Sequence, residues 1–126
     1  VTQHRHFRLT PPPPLRENDI ERACLDLLRY RGYWVGRNHC GRFKTPDNKR
    51  WITGEPKGTP DYTCLHERFP GFLLEVKRPG GETSDDQKQR ILEIRLGFRL
   101  AIAVVDTVDA LVLWLRQHEA QKISAP

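Results

Sequence analysis

The stretch "KGTPDYTCLHERFPGFLLEVKRPGG", residues 57–81, places Asp61 after a Gly-Thr-Pro turn and sets Glu75 and Lys77 inside an apolar run. Successive side chains on a strand alternate between faces. If Phe72, Leu74 and Val76 line the core, Glu75 and Lys77 emerge together on the other face. The turn-like "HERFPG" separates "DYTCL" from "GFLLEVK", so the two runs read as paired strands. Asp61 lies fourteen residues before Glu75, enough for a hairpin to bring the two carboxylates side by side. Adjacent carboxylates repel, and one stays protonated unless a cation sits between them. A hard divalent ion resolves the conflict, because Mg²⁺ takes oxygen ligands and needs only one or two protein carboxylates. Lys77 beside such an ion is suited to orienting a water or to stabilising charge on phosphorus oxygens. The bland alternatives are a cross-face Glu-Lys ion pair and an ordinary Pro-Asp turn.

Outward from this stretch the chain reads as one domain. Its 126 residues support a single core, and 37% hydrophobic with 29% charged residues describes a globular protein. The net charge of +5 favours an acidic partner, nucleic acid foremost. No segment has the length and apolarity of a membrane span, no basic amphipathic helix marks a membrane-surface protein, and the first ten residues lack a secretory signal. An odd cysteine count (Cys24, Cys40, Cys64) without a Cys-x-x-Cys pair suits a reducing compartment. The expected location is the cytoplasm. His39, Cys40, Cys64 and His66 lack the spacing of a zinc site.

Residues 1–15, with their "PPPP" run, read as a proline-rich arm, and residues 119–126 as a tail. Between them, Ile20, Ala23, Cys24, Leu27 and Leu28 recur at helical spacing from Arg16 to Arg31, and Gly32 ends the run. "YWVGR" (33–37) is a short strand. Residues 38–58 form a long loop with Phe43 and Trp51. Counting Arg37, it carries six basic and two acidic side chains, most of the chain's excess charge. "SDDQKQRILEIRLGF" is a second helix ended by Gly97, "RLAIAVV" a buried strand and "TVDALVLWLRQH" a third helix. The order predicts an α/β fold with a mixed central sheet flanked by helices.

Five blocks in order, Ile20-Glu21 in the first helix, Arg37-Asn38 with Gly41, Gly58-Thr59-Pro60-Asp61, Glu75-Val76-Lys77, and Gln87, resemble the virus-type replication-repair nuclease (VRR-NUC) branch of the PD-(D/E)xK superfamily over about residues 16–115. The resemblance implies a restriction-endonuclease-like core and DNA cleavage with Mg²⁺ or Mn²⁺, with no organic cofactor. It makes Asp61 and Glu75 metal ligands together with the Val76 carbonyl, and gives Lys77 the attacking water. Gln87 becomes a site residue, and Glu21 stands near the metal, reaching it through water; Glu17 competes with Glu21 for that place. Thr59 stands where the family prefers a longer apolar side chain. The resemblance further implies branched DNA, four-way junctions in particular, cut by a homodimer whose interface would use Leu111, Trp114 and Leu115 or the first helix.

Read alone, Ser84 with Gln87 is a capping box. Arg37, Asn38, Arg42, Lys44, Lys49, Arg50, Lys57 and Arg78 are the expected DNA-path residues, and Phe43 or Trp51 either stacks on an unpaired base or packs the loop onto the domain. The rival functions are a sequence-specific restriction-like nuclease and a non-catalytic nucleic-acid-binding module.

Overall fold

In the computed structural model, residues 12–13, 16–39, 42–56 and 58–121 are described, with the side chains of Arg42 and Phe43 excepted. The proline-rich arm apart from Pro12 and Pro13, Cys40, Gly41, Lys57 and the last five residues of the tail lie outside them. The elements are α1 (Glu17–Tyr30), β1 (Trp34–Arg37), β2 (Arg42–Lys44), β3 (Trp51–Thr53), β4 (Tyr62–Leu65), β5 (Phe72–Val76), α2 (Asp85–Glu93) continued by a π turn (Ile94–Phe98), β6 (Ala101–Val105) and α3 (Val108–Glu119).

A four-stranded sheet runs in the order β1-β4-β5-β6, antiparallel except for the parallel pair β5–β6. The parallel pair follows from the intervening α2, since a parallel return needs a crossover and antiparallel neighbours need only a turn. All five residues of β5 are buried because both faces of that strand are covered. On one face Phe72, Leu74 and Val76 pack with Ile20, Cys24 and Leu28 of α1 and Leu111 and Leu115 of α3. On the other, Leu73 meets Ile91 of α2 and Ile102. The mixed α/β fold with a central mixed sheet agrees with the sequence reading.

Three local expectations change. The loop over 38–58 contains an antiparallel hairpin, β2–β3, whose base is closed by the Glu55 N–H donating to the His39 carbonyl at 2.7 Å. Ala23, counted with the apolar stripe of α1, is exposed, because only the positions one turn apart (20, 24, 28) point squarely at the sheet. Gly97 does not end the second helix. The chain runs on as a π turn to Phe98 and reverses at Arg99, whose φ is +52°. A Cβ on Gly97 would meet nothing within 4 Å, so no steric need put glycine there.

Candidate active site

The register β4–β5 pairs Tyr62 with Leu74 and Thr63 with Leu73, so one step further Asp61 faces Glu75 across the sheet end. The Asp61 N–H donates to Glu75 Oε2 at 3.0 Å. Asn38, expected on the DNA path, fixes this corner. Its N–H donates to the Asp61 carbonyl at 2.7 Å, its Nδ2 to the Pro60 carbonyl at 2.9 Å, and its Oδ1 accepts from Thr63 Oγ1 at 2.9 Å. Sequence reasoning missed this role, since the interaction spans more than twenty residues; the only signal was a polar side chain at the end of a strand.

Glu75 is 3% exposed, which demands compensation. Gln87 Nε2 donates to Glu75 Oε1 at 2.8 Å, and Lys77 Nζ lies 3.2 Å from the same oxygen. Lys77 Nζ also donates to Gln87 Oε1 at 2.6 Å. Glu75, Lys77 and Gln87 thus form a closed triangle. The capping box is present as well, with the Gln87 N–H donating to Ser84 Oγ and the Ser84 N–H to Gln87 Oε1, each at 3.2 Å. The capping box is therefore borne out, and the same side chain does more: its carbonyl oxygen caps α2 while its amide nitrogen bonds Glu75.

Gly58 brings the Asp61 loop against the start of α2. Its φ is +87°, and a Cβ would stand 2.6 Å from the Asp86 carbonyl oxygen. Only glycine permits this approach without displacement.

Glu21 accepts a hydrogen bond from the Tyr62 hydroxyl, which sets its carboxylate at the same sheet end. Glu17 is exposed in the first turn of α1. Of the two, Glu21 is the one that lies near Asp61, and Tyr62 is a neighbour that sequence reading overlooked. Burial and the Glu21 carboxylate push the Tyr62 hydroxyl up to about 12.

The half-buried Asp61 carboxyl is raised from 3.8 to about 6 by burial, then by Glu75 and Glu21, against smaller lowering by Arg37 and Lys77. No described side chain donates a hydrogen bond to that carboxylate. An acid so placed, short of donors and beside two other carboxylates, is a donor set that fits a hard cation. Among the described residues no three His, Cys, Asp or Glu groups cage an ion by themselves. A hydrated Mg²⁺ or Mn²⁺ held by two carboxylates does not require such a trio. Val76 turns its side chain into the core at 1% exposure.

The basic residues spread further. Arg37 lines a polar cleft with Arg22, Arg29, Glu21 and Tyr62. Lys44, Lys49 and Arg50 are exposed on the hairpin, with Lys44 Nζ 5.2 Å from the ring of Trp51. Trp51 is 58% exposed, so it is not packed away in the core. Arg42 belongs to β2, and Arg78 is exposed beyond β5. Cys64 is fully buried, its thiol pushed up to about 12, and the His66 ring lies between Tyr33 and Phe69 with Nε2 against the Arg31 carbonyl. Both serve the packing.

Comparison of the chain with family models, with curated proteins and with solved structures returned no match.

Proposed function

We propose that the protein is a divalent-metal-dependent DNA endonuclease with a restriction-endonuclease-like core of the VRR-NUC type, acting on branched DNA. The observation that carries the reading is the Asp61–Glu75–Lys77–Gln87 cluster at one end of the sheet, joined by bonds of 2.6–3.2 Å. Asp61, Glu75 and the Val76 carbonyl would hold Mg²⁺ or Mn²⁺, with Glu21 reaching it through water. When bound, such an ion supplies Lewis-acid polarisation of a phosphodiester oxygen and lowers the pKa of water.

The remaining chemistry belongs to the chain. Gln87 fixes Glu75 and Lys77 relative to each other, so neither loses orientation when substrate enters. The Lys77 ammonium offers positive charge to the attacking water and to the phosphorus oxygens. Basic side chains of the hairpin and Arg78 contact phosphates without reading sequence.

A four-way junction presents two equivalent strands, and a two-fold homodimer would supply two such sites. Leu111 and Leu115 are fully buried in the core, and Trp114 packs on Phe72, so the α3 face named from sequence does not furnish the interface. Large apolar side chains that do reach solvent include Leu92, Leu96 and Phe98.

The test offers labelled duplex, flap, splayed-arm and four-way DNA, with Mg²⁺, Mn²⁺ or EDTA, to wild type, Lys77→Ala and Asp61→Asn. Metal-dependent cutting by the wild type alone, favouring branched DNA regardless of sequence, is expected. Cutting of linear duplex at one fixed sequence supports the restriction-like alternative. Binding by all three proteins with no cutting under any condition ends the enzyme reading.

A further inference from the structure

At the opposite end of the sheet from the acidic cluster, a cleft of about 460 Å³ opens between the π turn and the last turns of α3, floored by the first residues of β6. Ala101, at that floor, pairs with Phe72, three residues along β5 from Glu75, so about 10 Å of strand separates the two places. The cleft is lined by Arg95, Arg99, Trp114, Gln117, His118 and Gln121 above its apolar floor, and no carboxylate is among its described lining residues.

Arg95 donates from a guanidinium nitrogen to the Ile102 carbonyl at 3.0 Å, which pins it at the rim. Arg99 occupies left-handed backbone at φ +52°, a conformation unfavourable for a non-glycine residue. Among the described residues neither guanidinium meets a carboxylate. The π turn that delivers both is itself an irregularity that concentrates at functional places.

The aromatic wall is built from packed rings. Trp114 stacks on His118 at 4.5 Å and 18° and tilts against Phe72 at 4.6 Å. His118, 4% exposed, is anchored by Nε2 at 2.5 Å from the Pro70 carbonyl.

Two guanidiniums without a described carboxylate, two carboxamides and a fixed indole around a cavity of this size match a ligand with an anion at one end and a flat, hydrogen-bonding ring at the other. We propose that this cleft binds one nucleotide unit, its phosphate on Arg95 and Arg99 and its base against Trp114. The site needs no metal and no nuclease activity, so it stands independently of the reading given above. The nucleotide is either free or part of a strand.

The experiment follows backbone amide signals by NMR in EDTA as dTMP, thymidine, inorganic phosphate or a short unphosphorylated oligothymidylate is added to the full chain. With dTMP, signals from residues 95–102 and 114–121 are expected to move, and thymidine or phosphate alone should bind about tenfold or more weakly. Arg99→Gly removes the charge but relieves the backbone, so it should hold or raise Tm while weakening dTMP about tenfold. An oligothymidylate that binds there more tightly than dTMP identifies a strand as the source, and the reverse order identifies the free nucleotide. Equal affinity of Arg99→Gly and wild type, phosphate binding as tight as dTMP, or shifts confined to the Asp61 end overturn the proposal.

Discussion

Asp61 carries a charge that the fold resists. Its carboxyl is raised from 3.8 to about 6, so the folded protein holds this proton more tightly than the unfolded chain does. The sign follows from linkage: stability falls as pH rises from about 4 to about 6, then levels off. Because the group is partly solvated, the effect after screening is about 1 kcal/mol. Asp61→Asn is therefore expected to raise Tm above pH 6 by roughly 4 °C, with the gain vanishing near pH 4. Added Mg²⁺ or Mn²⁺ should raise the wild-type Tm and leave the variant unmoved. Calorimetry across pH 4–8 measures both, and a variant melting below the wild type at pH 7.5 contradicts the account. Lys77→Ala removes the partly buried cation that pairs with buried Glu75, so it should lose stability as well as about 100-fold or more in cleavage rate. Asp61→Asn, which should not be destabilised, keeps a loss of cutting from being mistaken for unfolding.

At the scale of elements, the N-terminus of α2 is where the cap, the site and the Asp61 loop meet. Ser84→Ala removes one of the two capping bonds and should cost about 1 kcal/mol. Its cleavage rate should fall less than about tenfold, since Lys77 and Glu75 still hold Gln87. Gln87→Ala, losing the side-chain half of the capping box and the brace on Glu75 together, should be worse in both respects. Gly58→Ala forces a Cβ onto the Asp86 carbonyl at positive φ, with an expected loss of about 2 kcal/mol or more. Denaturant titrations of these three variants rank them, and a neutral Gly58→Ala would show that the loop and α2 are not held in contact. Much of this junction is legible in the sequence: the capping box and the turn at Gly58-Thr59-Pro60 are local patterns. That one glutamine performs two tasks is not, because Glu75 lies on a different element.

For the whole molecule, the excess positive charge is concentrated between Arg37 and Lys57, and the hairpin holds Lys44, Lys49 and Arg50 out from the sheet. Replacing those three by alanine should weaken DNA binding evenly across sequences. The salt dependence should flatten by about one unit of slope for each phosphate no longer neutralised. Tm should barely change, because no core residue is touched. Filter-binding at several salt concentrations checks this, and an unchanged slope would move the DNA path elsewhere. Light scattering tests the proposed homodimer directly: a particle of twice the chain mass is expected, and a monomer at working concentration would withdraw it.

The sequence by itself determined the mixed α/β order, the strand that carries Glu75 with Lys77 just past its end, and the positions of the helices, because periodicity and turn residues act over a few neighbours. Tertiary structure alone decided that Glu21 and not Glu17 reaches the sheet end, that Asn38 clamps the Asp61 corner, and that the α3 face fills the core. Each of those depends on a contact between residues more than twenty positions apart, and the packing of α1 and α3 on one face of the sheet creates or consumes it. The left-handed turn at Arg99 belongs with them: nothing local favours it over Gly97, and only the placement of β6 requires the chain to reverse there.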